Sequence, residues 1–309
     1  MKKESNRYAF VRKIEQAAPV RAVRNGLINI IPVLIIGAFA LILKTFPVDA
    51  YQNAIAAFAG GFFLELLNLV YSATFGALSV YMTFSISRSY MKLKADREVV
   101  NGGAIVASLI SFFILSGAYL DAATGDHIDQ LANGLENADP NFIDALKNAG
   151  LGLFNTGSLG PKSMFLAIIT GILASRLYLF LFRYFFNRRH YLFSAGADRE
   201  FNRMLSTIFP IGITACVFAL FNLAVVNVFD VSSFRELLVH FFNWIFSHGE
   251  NGFFKGFFFV LLSSILWFFG IHGSDALESV MQTYFTPGLA INQAAISYGG
   301  NGHPTEVLT

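Results

Sequence analysis

Charged residues and cysteine are scarce in this chain. Only 14% of its 309 residues are charged, whereas soluble domains carry roughly 25%, so the surface cannot be mainly in contact with water. The single cysteine, Cys216, lies in an apolar run and can form neither an internal disulfide nor a zinc cluster. The formal net charge of +2 is too small to indicate a nucleic-acid-binding surface, so we expect no nucleic-acid partner.

Apolar and aromatic residues make up most of the chain instead. Hydrophobic residues account for 55% of it, and the mean hydropathy is +0.55. Thirty-five residues are phenylalanine, the aromatic side chain that carries no polar atom. Disordered chains contain too few such residues, and a soluble protein of this length would need a charged surface. The composition therefore predicts a protein embedded in a lipid bilayer.

Six stretches are apolar and long enough to cross a membrane as helices, which requires about 20 residues. They predict an all-α polytopic membrane protein. The second stretch is rich in serine and threonine, so we expect it to face other helices or a wet cavity rather than lipid. The predicted spans are Leu27–Phe46, Tyr71–Tyr90, Gly103–Leu120, Met164–Phe182, Met204–Phe229 and Phe253–Ile271.

Two further stretches are amphipathic. Ala54–Val70 carries Glu65 among phenylalanines and leucines, and Ser233–Ser247 carries Arg235 beside several aromatic residues. We interpret both as helices that lie at the membrane interface or pack against the bundle of spans.

The distribution of lysine and arginine predicts the orientation. Residues 1–26, 88–97 and 176–203 hold seven, four and six of these residues, whereas residues 121–160 hold one against six acidic residues. Since cytoplasmic loops carry the excess of positive charge, the amino terminus is expected inside and the loop 121–160 outside. Residues 1–26 then form a cytoplasmic basic segment and residues 27–309 the transmembrane domain. Phe46 then lies outside and Arg88 inside, so an odd number of crossings must lie between them. Since Tyr71–Tyr90 supplies one crossing, we expect that Ala54–Val70 does not cross the membrane.

Motifs of common enzymes are absent from the sequence. It contains no Walker A pattern, HExxH, CxxC pair or GxSxG elbow. No histidine is spaced from another histidine or from the cysteine as metal ligands usually are. We therefore expect no enzyme active site, no metal and no cofactor.

One local pattern suggests a binding site. The last predicted span ends at Ile271, within a stretch that contains Trp267, Gly270, His272, Gly273 and Asp275. The two glycines weaken the helix, and broken helices at membrane depth occur where transporters bind substrate. We therefore predict a broken or re-entrant segment near Gly270–Gly273 that binds substrate. Alternatively, the span simply ends here and His272 lies at the interface, and the local pattern alone leaves both interpretations open.

The heptapeptide Trp267–Gly273 resembles the signature of a known membrane family. That family comprises the EIIC membrane components of the bacterial sugar phosphotransferase system, in the lactose, cellobiose and chitobiose branch. The stretches Arg21–Gly37 and Leu159–Gly171 are also similar to that family, as is Phe209-Pro210 at the start of a later span. The match runs in consistent order from about residue 10 to the end of the chain.

The resemblance implies a function. Members of the family bind a sugar, usually a β-linked disaccharide, and expose it to separate EIIA and EIIB components that phosphorylate it. It implies that His272 contacts sugar hydroxyls, with Gly270, Gly273, Trp267 and Asp275 as further substrate-binding candidates. It also implies a location in the bacterial cell membrane and a homodimer.

Two departures from the family pattern leave an alternative open. Residues 194–203 lack the proline-rich loop typical of the family, and the chain stops at Thr309, where family members continue. The chain is therefore expected to be a fragment or a remodelled relative. The alternative function is an EIIC-like sugar sensor coupled to a cytoplasmic signalling domain. A generic membrane scaffold is a third hypothesis, which the predicted break at Gly270–Gly273, around His272, disfavours.

Overall fold

The structure is a bundle of long apolar helices. It is a computed structural model that describes residues 12–46, 48–94, 98–120, 153–154, 156–188, 199–247, 252–268, 277, 280–286 and 288–289. Within these residues, the α-helices are α1 Ala18–Thr45, α2 Asp49–Ala57, α3 Phe62–Thr74, α4 Leu78–Lys94, α5 Glu98–Ser116, α6 Met164–Arg188, α7 Arg199–Phe229, α8 Phe234–Ser247 and α9 Gly252–Phe268.

Membrane-spanning length is reached by four helical stretches of the described chain. They are Ala18–Thr45, Phe62–Lys94, Pro161–Phe185 and Met204–Phe229, and two shorter apolar helices cover Gly102–Ser116 and Phe253–Trp267. Each predicted span coincides mainly with helix where the structure describes it. The prediction Gly103–Leu120 was wrong at its end, because α5 ends at Ser116 and Tyr119–Leu120 is a strand. The all-α polytopic membrane fold is confirmed.

The helix α1 packs antiparallel against a rod made of α3 and α4. A 3₁₀ turn, Phe75–Ala77, joins α3 to α4. Gly37 of α1 lies against Phe75, and Gly26 lies against Ile86, so the chain direction in the rod opposes that of α1. At Gly26 a Cβ atom would be 3.1 Å from the Cα atom of Ile86. Glycine is required there because two helix backbones approach closely.

The predicted amphipathic stretch Ala54–Val70 is divided between two helices. The helix α2 ends at Ala57, a 3₁₀ turn covers Phe58–Gly61, and α3 begins at Phe62. Gly61 has a φ of 88°, a conformation that favours glycine. The prediction of a single interfacial helix that ends at Val70 was therefore wrong in its bounds, because the break lies at Gly61. The second half of that stretch belongs to the rod beside α1.

The short helix α2 folds back onto the end of α1. The Tyr51 hydroxyl donates a hydrogen bond to the carbonyl of Leu43 (2.7 Å), and the Gln52 amide donates to those of Lys44 (3.0 Å) and Phe46 (2.8 Å). These side chains satisfy carbonyl groups that a helix end leaves without intrahelical partners. The connection from α1 to the rod therefore stays at one end of the bundle.

Buried hydroxyl groups join three helices in the centre of the bundle. Ser87 of α4 accepts hydrogen bonds from Ser108 of α5 (3.1 Å) and Ser175 of α6 (2.7 Å), and Ser108 and Ser175 lie 3.1 Å apart. All three side chains are fully buried. Interhelical hydrogen bonds of this kind stabilise helix packing in membranes. The prediction that the hydroxyl-rich helix faces other helices is confirmed.

Apolar residues fill the remaining interior and cover much of the outside. One core cluster joins Leu27 and Ile30 of α1 to Met82 and Ile86 of α4. Large apolar side chains also project outward, among them Phe39 at 62% exposure, and similar residues line α7 and α9. A soluble protein rarely exposes apolar patches of this extent, so this outer surface fits contact with lipid.

A short strand pair closes the base of the polar loop. Gly117, with a φ of 60°, follows the end of α5, as is common for the residue after a helix. Tyr119–Leu120 then pairs antiparallel with Leu153–Phe154. The two ends of the segment between the strands are therefore adjacent, as expected for a loop that returns to the same side of the membrane. Residues 121–152 lie outside the described part of the chain.

Candidate functional site

An open pocket lies where four elements meet. These are the 3₁₀ turn Pro161–Ser163, the first turn of α6, the first half of α8 and a π-helix over Met281–Phe285. The walls of the pocket include Lys162, Phe165, Arg235, Phe242, Val280 and Tyr284. A concave, mostly apolar surface with a few polar groups is the usual form of a small-molecule site.

The position of the 3₁₀ turn is fixed by hydrogen bonds to the start of α4. The Ser79 amide donates to the Leu159 carbonyl (3.0 Å), and the Ser79 hydroxyl donates to the Gly160 carbonyl (2.7 Å). Both Ser79 and Ser163 are buried. Lys162 is therefore held on a well-supported turn at one end of the bundle.

The start of α8 is fixed by a network around Glu236. The Glu236 carboxylate accepts hydrogen bonds from the amide and hydroxyl of Ser232, both 2.6 Å, and the Phe234 amide donates to the Asn222 side chain (2.9 Å). The hydrogen bonds from Ser232 hold the pKa of the Glu236 carboxyl below its ordinary value. The network resembles a capping box, and it positions the adjacent residue, Arg235.

Arg235 supplies a partly buried positive charge to the pocket. Its Nε atom donates a hydrogen bond to the hydroxyl of Ser163 (2.9 Å), which connects α8 to the 3₁₀ turn. Burial lowers the pKa of the Arg235 guanidinium, and the charge of Glu236 opposes this effect. The guanidinium stays charged at neutral pH, because the ordinary pKa of arginine is far above 7.

Aromatic rings form another wall of the pocket. The rings of Phe165 and Phe242 lie 4.7 Å apart between centroids, at an angle of 51°. Burial raises the pKa of Tyr284 to about 12, so its hydroxyl is neutral at physiological pH. Tyr284 lies in the π-helix, and π-helical turns are frequent at functional sites. The pocket can thus offer apolar ring faces and charged or neutral hydrogen-bond donors to one ligand.

The predicted substrate-binding segment adjoins this pocket along the chain. Leu266, in the last turn of α9, packs in the same apolar cluster as Leu277 and Val280, together with the pocket residues Phe165 and Tyr284. Trp267, the next residue, is 52% exposed. The other predicted site residues, Gly270, His272, Gly273 and Asp275, lie outside the described residues.

Sequence reasoning missed the residues that the structure brings together here. Lys162, Arg235 and Tyr284 come from three separate parts of the chain, and no motif links them. We interpreted the Arg235 helix as amphipathic, which is correct, but a pattern along one helix does not show which neighbour it faces. Within the described residues, no group of three or more histidine, cysteine, aspartate or glutamate side chains is arranged to hold a metal ion.

Comparison with known proteins gives the family. The model of the family described as "Phosphotransferase system, EIIC" matches residues 24–309. The chain belongs to the EIIC family. The resemblance inferred from the heptapeptide is therefore confirmed, and EIIC components are membrane transporter subunits whose sugar is phosphorylated by EIIA and EIIB.

Characterised relatives are similar over most of this EIIC chain. It is 25% identical over 283 residues to the oligo-beta-mannoside-specific EIIC component of Bacillus subtilis (strain 168), covering 91% of this chain and 56% of that protein. It is 23% identical over 299 residues to the cellobiose-specific EIIC component of Geobacillus stearothermophilus, covering 96% of this chain and 60% of that protein. The chain thus spans less than two thirds of the length of these relatives.

A solved structure shares the fold. The crystal structure of the IIC component of the N,N'-diacetylchitobiose-specific phosphotransferase system superposes with a TM-score of 0.62 at 20% sequence identity. The match covers 94% of this EIIC chain and 62% of that one. At this identity the likeness establishes the fold alone.

Proposed function

We propose that this protein is the sugar-binding permease component of a bacterial sugar phosphotransferase system. The observation that carries the proposal is the match of the EIIC family model over residues 24–309. The substrate is a β-linked disaccharide or a related sugar. The names of the relatives, which specify oligo-beta-mannoside and cellobiose, support this class.

The sugar binds at the segment that contains Trp267, Gly270, His272, Gly273 and Asp275. His272 donates and accepts hydrogen bonds with sugar hydroxyls, the glycines allow close approach of the backbone, and the Trp267 ring stacks on a sugar face. Packing at both ends of the segment supports this role, because Leu266 and Leu277 share one cluster beside the pocket. Leu277 is five positions after His272, so chain length alone keeps His272 within about 18 Å of Leu277, at no more than about 3.6 Å per residue.

The chain presents the sugar to partners rather than phosphorylating it. EIIB, charged by EIIA, supplies the phosphoryl group from the cytoplasmic side, so this chain needs no phosphate-accepting residue of its own. The amino terminus is cytoplasmic, with residues 1–26 as a basic segment and residues 27–309 as the transmembrane domain. Two copies form a homodimer in the bacterial cell membrane.

Equilibrium binding tests the proposal directly. The chain, purified and placed in lipid nanodiscs, is titrated with cellobiose, chitobiose and mannobiose, and with the α-linked disaccharide maltose as a matched control. Saturable binding of at least one β-linked disaccharide, with weaker binding of maltose, is expected. Failure of a folded sample to bind any β-linked disaccharide, or equal binding of maltose, would contradict the proposal.

A further inference from the structure

Positive charge is concentrated in the pocket between α6, α8 and the π-helix. Lys162 and Arg235 both line it. The nearest acidic side chain along the chain, Glu236, is held by Ser232 on one side and has His240 on the other, with 3.7 Å between the Glu236 and His240 side chains. Among the residues that the structure describes, neither Lys162 nor Arg235 has a carboxylate within ion-pair distance.

We propose that this pocket binds an oxyanion, namely the phosphate or carboxylate of a small molecule or of a lipid headgroup. A guanidinium presents paired N–H groups that match the geometry of phosphate and carboxylate. One of these groups on Arg235, Nε–H, is used by Ser163, and this bond fixes the orientation of the guanidinium plane. The terminal nitrogens are available to an anion, because within the described residues no other bond of Arg235 is present.

Arg235 and Lys162 differ in their surroundings, and each has a different role in binding an anion. Arg235 is partly buried and anchored, whereas Lys162 is exposed at the edge of the pocket. Lysine is a flexible point charge, so Lys162 can attract an anion and close over it. A partly buried charge is costly unless it is paired, so an oxyanion beside Arg235 would offset this cost.

The backbone does not provide this site. Two of the first three amide groups of α8 already have partners, since Phe234 donates to Asn222 and Glu236 donates to Ser233. The Ser163 amide donates to the Gly160 carbonyl. Recognition of the anion therefore depends on the two side chains, and this makes the proposal testable by substitution.

The walls of the pocket combine charge with apolar surface. Phe165 and Phe242 lie next to the two cations and form its apolar part. On the other side of α8, Phe241 and Trp244 are 52% and 62% exposed, as for a helix in contact with lipid. A lipid headgroup and a small anion from water are therefore the two sources of the oxyanion that the test has to separate.

Titration of the delipidated chain in neutral detergent tests the site and separates the two sources. The probes are glycerol phosphate, phosphatidylglycerol and the uncharged diacylglycerol, and the readouts are thermal stabilisation and dissociation constants. We expect saturable binding of glycerol phosphate if a small anion is the ligand, and of phosphatidylglycerol alone if a headgroup is the ligand. Diacylglycerol should bind at least tenfold more weakly than either anion.

Three charge-removing variants identify the residues. Arg235→Gln and Lys162→Gln should each weaken anion binding at least tenfold, whereas Lys255→Gln, on α9 and outside the pocket lining, should leave it unchanged. Arg235→Lys should retain part of the affinity, since lysine keeps the positive charge but lacks the paired N–H groups of the guanidinium. Lys162 is exposed, so its variant should fold even if Arg235→Gln does not.

Two results would overturn the proposal. One is the absence of saturable binding of both anions to the folded wild-type chain. The other is binding that Lys162→Gln weakens no more than Lys255→Gln does. Neither result bears on sugar binding, which is measured with uncharged disaccharides.

Discussion

Gly103 of α5 shows how one residue decides the packing of two helices. A Cβ atom at Gly103 would overlap the hydroxyl of Tyr178 on α6. Tyr178 is fully buried, and its hydroxyl has no hydrogen-bond partner among the described residues. A Cβ atom at the neighbouring Gly102 would have no atom within 4 Å. The two glycines therefore provide a test position and a matched control for substitution by alanine.

Gly103→Ala should therefore lower the stability of the chain, and Gly102→Ala should not. Overpacking a filled interior costs about 1–3 kcal/mol, whereas alanine in place of a helical glycine gains up to about 1 kcal/mol. Thermal unfolding in detergent measures the difference. Tyr178→Phe, which removes the overlapping hydroxyl, should restore part of the stability of Gly103→Ala. An unchanged midpoint for Gly103→Ala would contradict the close contact.

Some roles of individual residues can be predicted from the sequence, and others cannot. The serine-rich face of Tyr71–Tyr90 could be predicted, because hydroxyls in an apolar span need protein partners. The hydrogen bond between Arg235 and Ser163 could not be predicted, because it joins positions 72 residues apart. No periodicity along one helix encodes such a contact.

Among the helices, α3 shows where pattern reading fails. Glu65 and Asn68 among apolar residues suggested one amphipathic helix over Ala54–Val70, at the interface or packed against the bundle. The glycine pair Gly60-Gly61 was the better signal for a boundary, since glycine tolerates the positive φ that Gly61 adopts. Amphipathicity indicated a polar face, but it did not show that the second half of the stretch belongs to the rod beside α1.

The helix α8 depends on a carboxylate at its start, which gives a pH prediction. Because hydrogen bonds from Ser232 lower the pKa of Glu236, the ionised form stabilises the folded state. This contribution is fully present above the unfolded-state pKa and is lost as the pH falls through the lower, folded-state value.

Hydrogen exchange at residues 232–240 should therefore rise in wild type as the pH falls from neutral to about 3.5, near the pKa range of carboxyl groups. Glu236→Gln should exchange faster at neutral pH and change less with acidification, after correction for intrinsic rates. Ser232→Ala removes one of the two donors and should give an intermediate result. Equal pH dependence in wild type and Glu236→Gln would contradict a role for this carboxylate.

For the whole molecule, the antiparallel arrangement of α1 and the rod agrees with the predicted topology. It fits one crossing between Phe46 and Arg88, as the charge distribution requires. The strand pair between Tyr119–Leu120 and Leu153–Phe154 adds that the polar loop leaves and re-enters at one place. Which side is outside is not encoded in the packing and follows from charge alone.

Cysteine labelling should report this orientation. A cysteine at Asn133, in the acidic loop, should react with an impermeant reagent on intact cells. A cysteine at Lys94, at the end of α4, should react only after permeabilisation. Cys216→Ser provides the background without the native thiol. The reverse pattern would contradict the cytoplasmic amino terminus.

Sugar binding through His272 is the central claim, and calorimetric titration of His272→Ala tests it most directly. Wild type in nanodiscs is titrated with the β-linked disaccharide that binds best, beside His272→Ala and the control His240→Ala, which changes an exposed histidine of α8. Loss of a hydrogen bond costs about 1 kcal/mol, and more if a buried partner stays unpaired. His272→Ala should therefore weaken binding by roughly ten- to a hundredfold, at about 1.4 kcal/mol per tenfold, and His240→Ala should not. An affinity for His272→Ala equal to that of wild type would contradict the account.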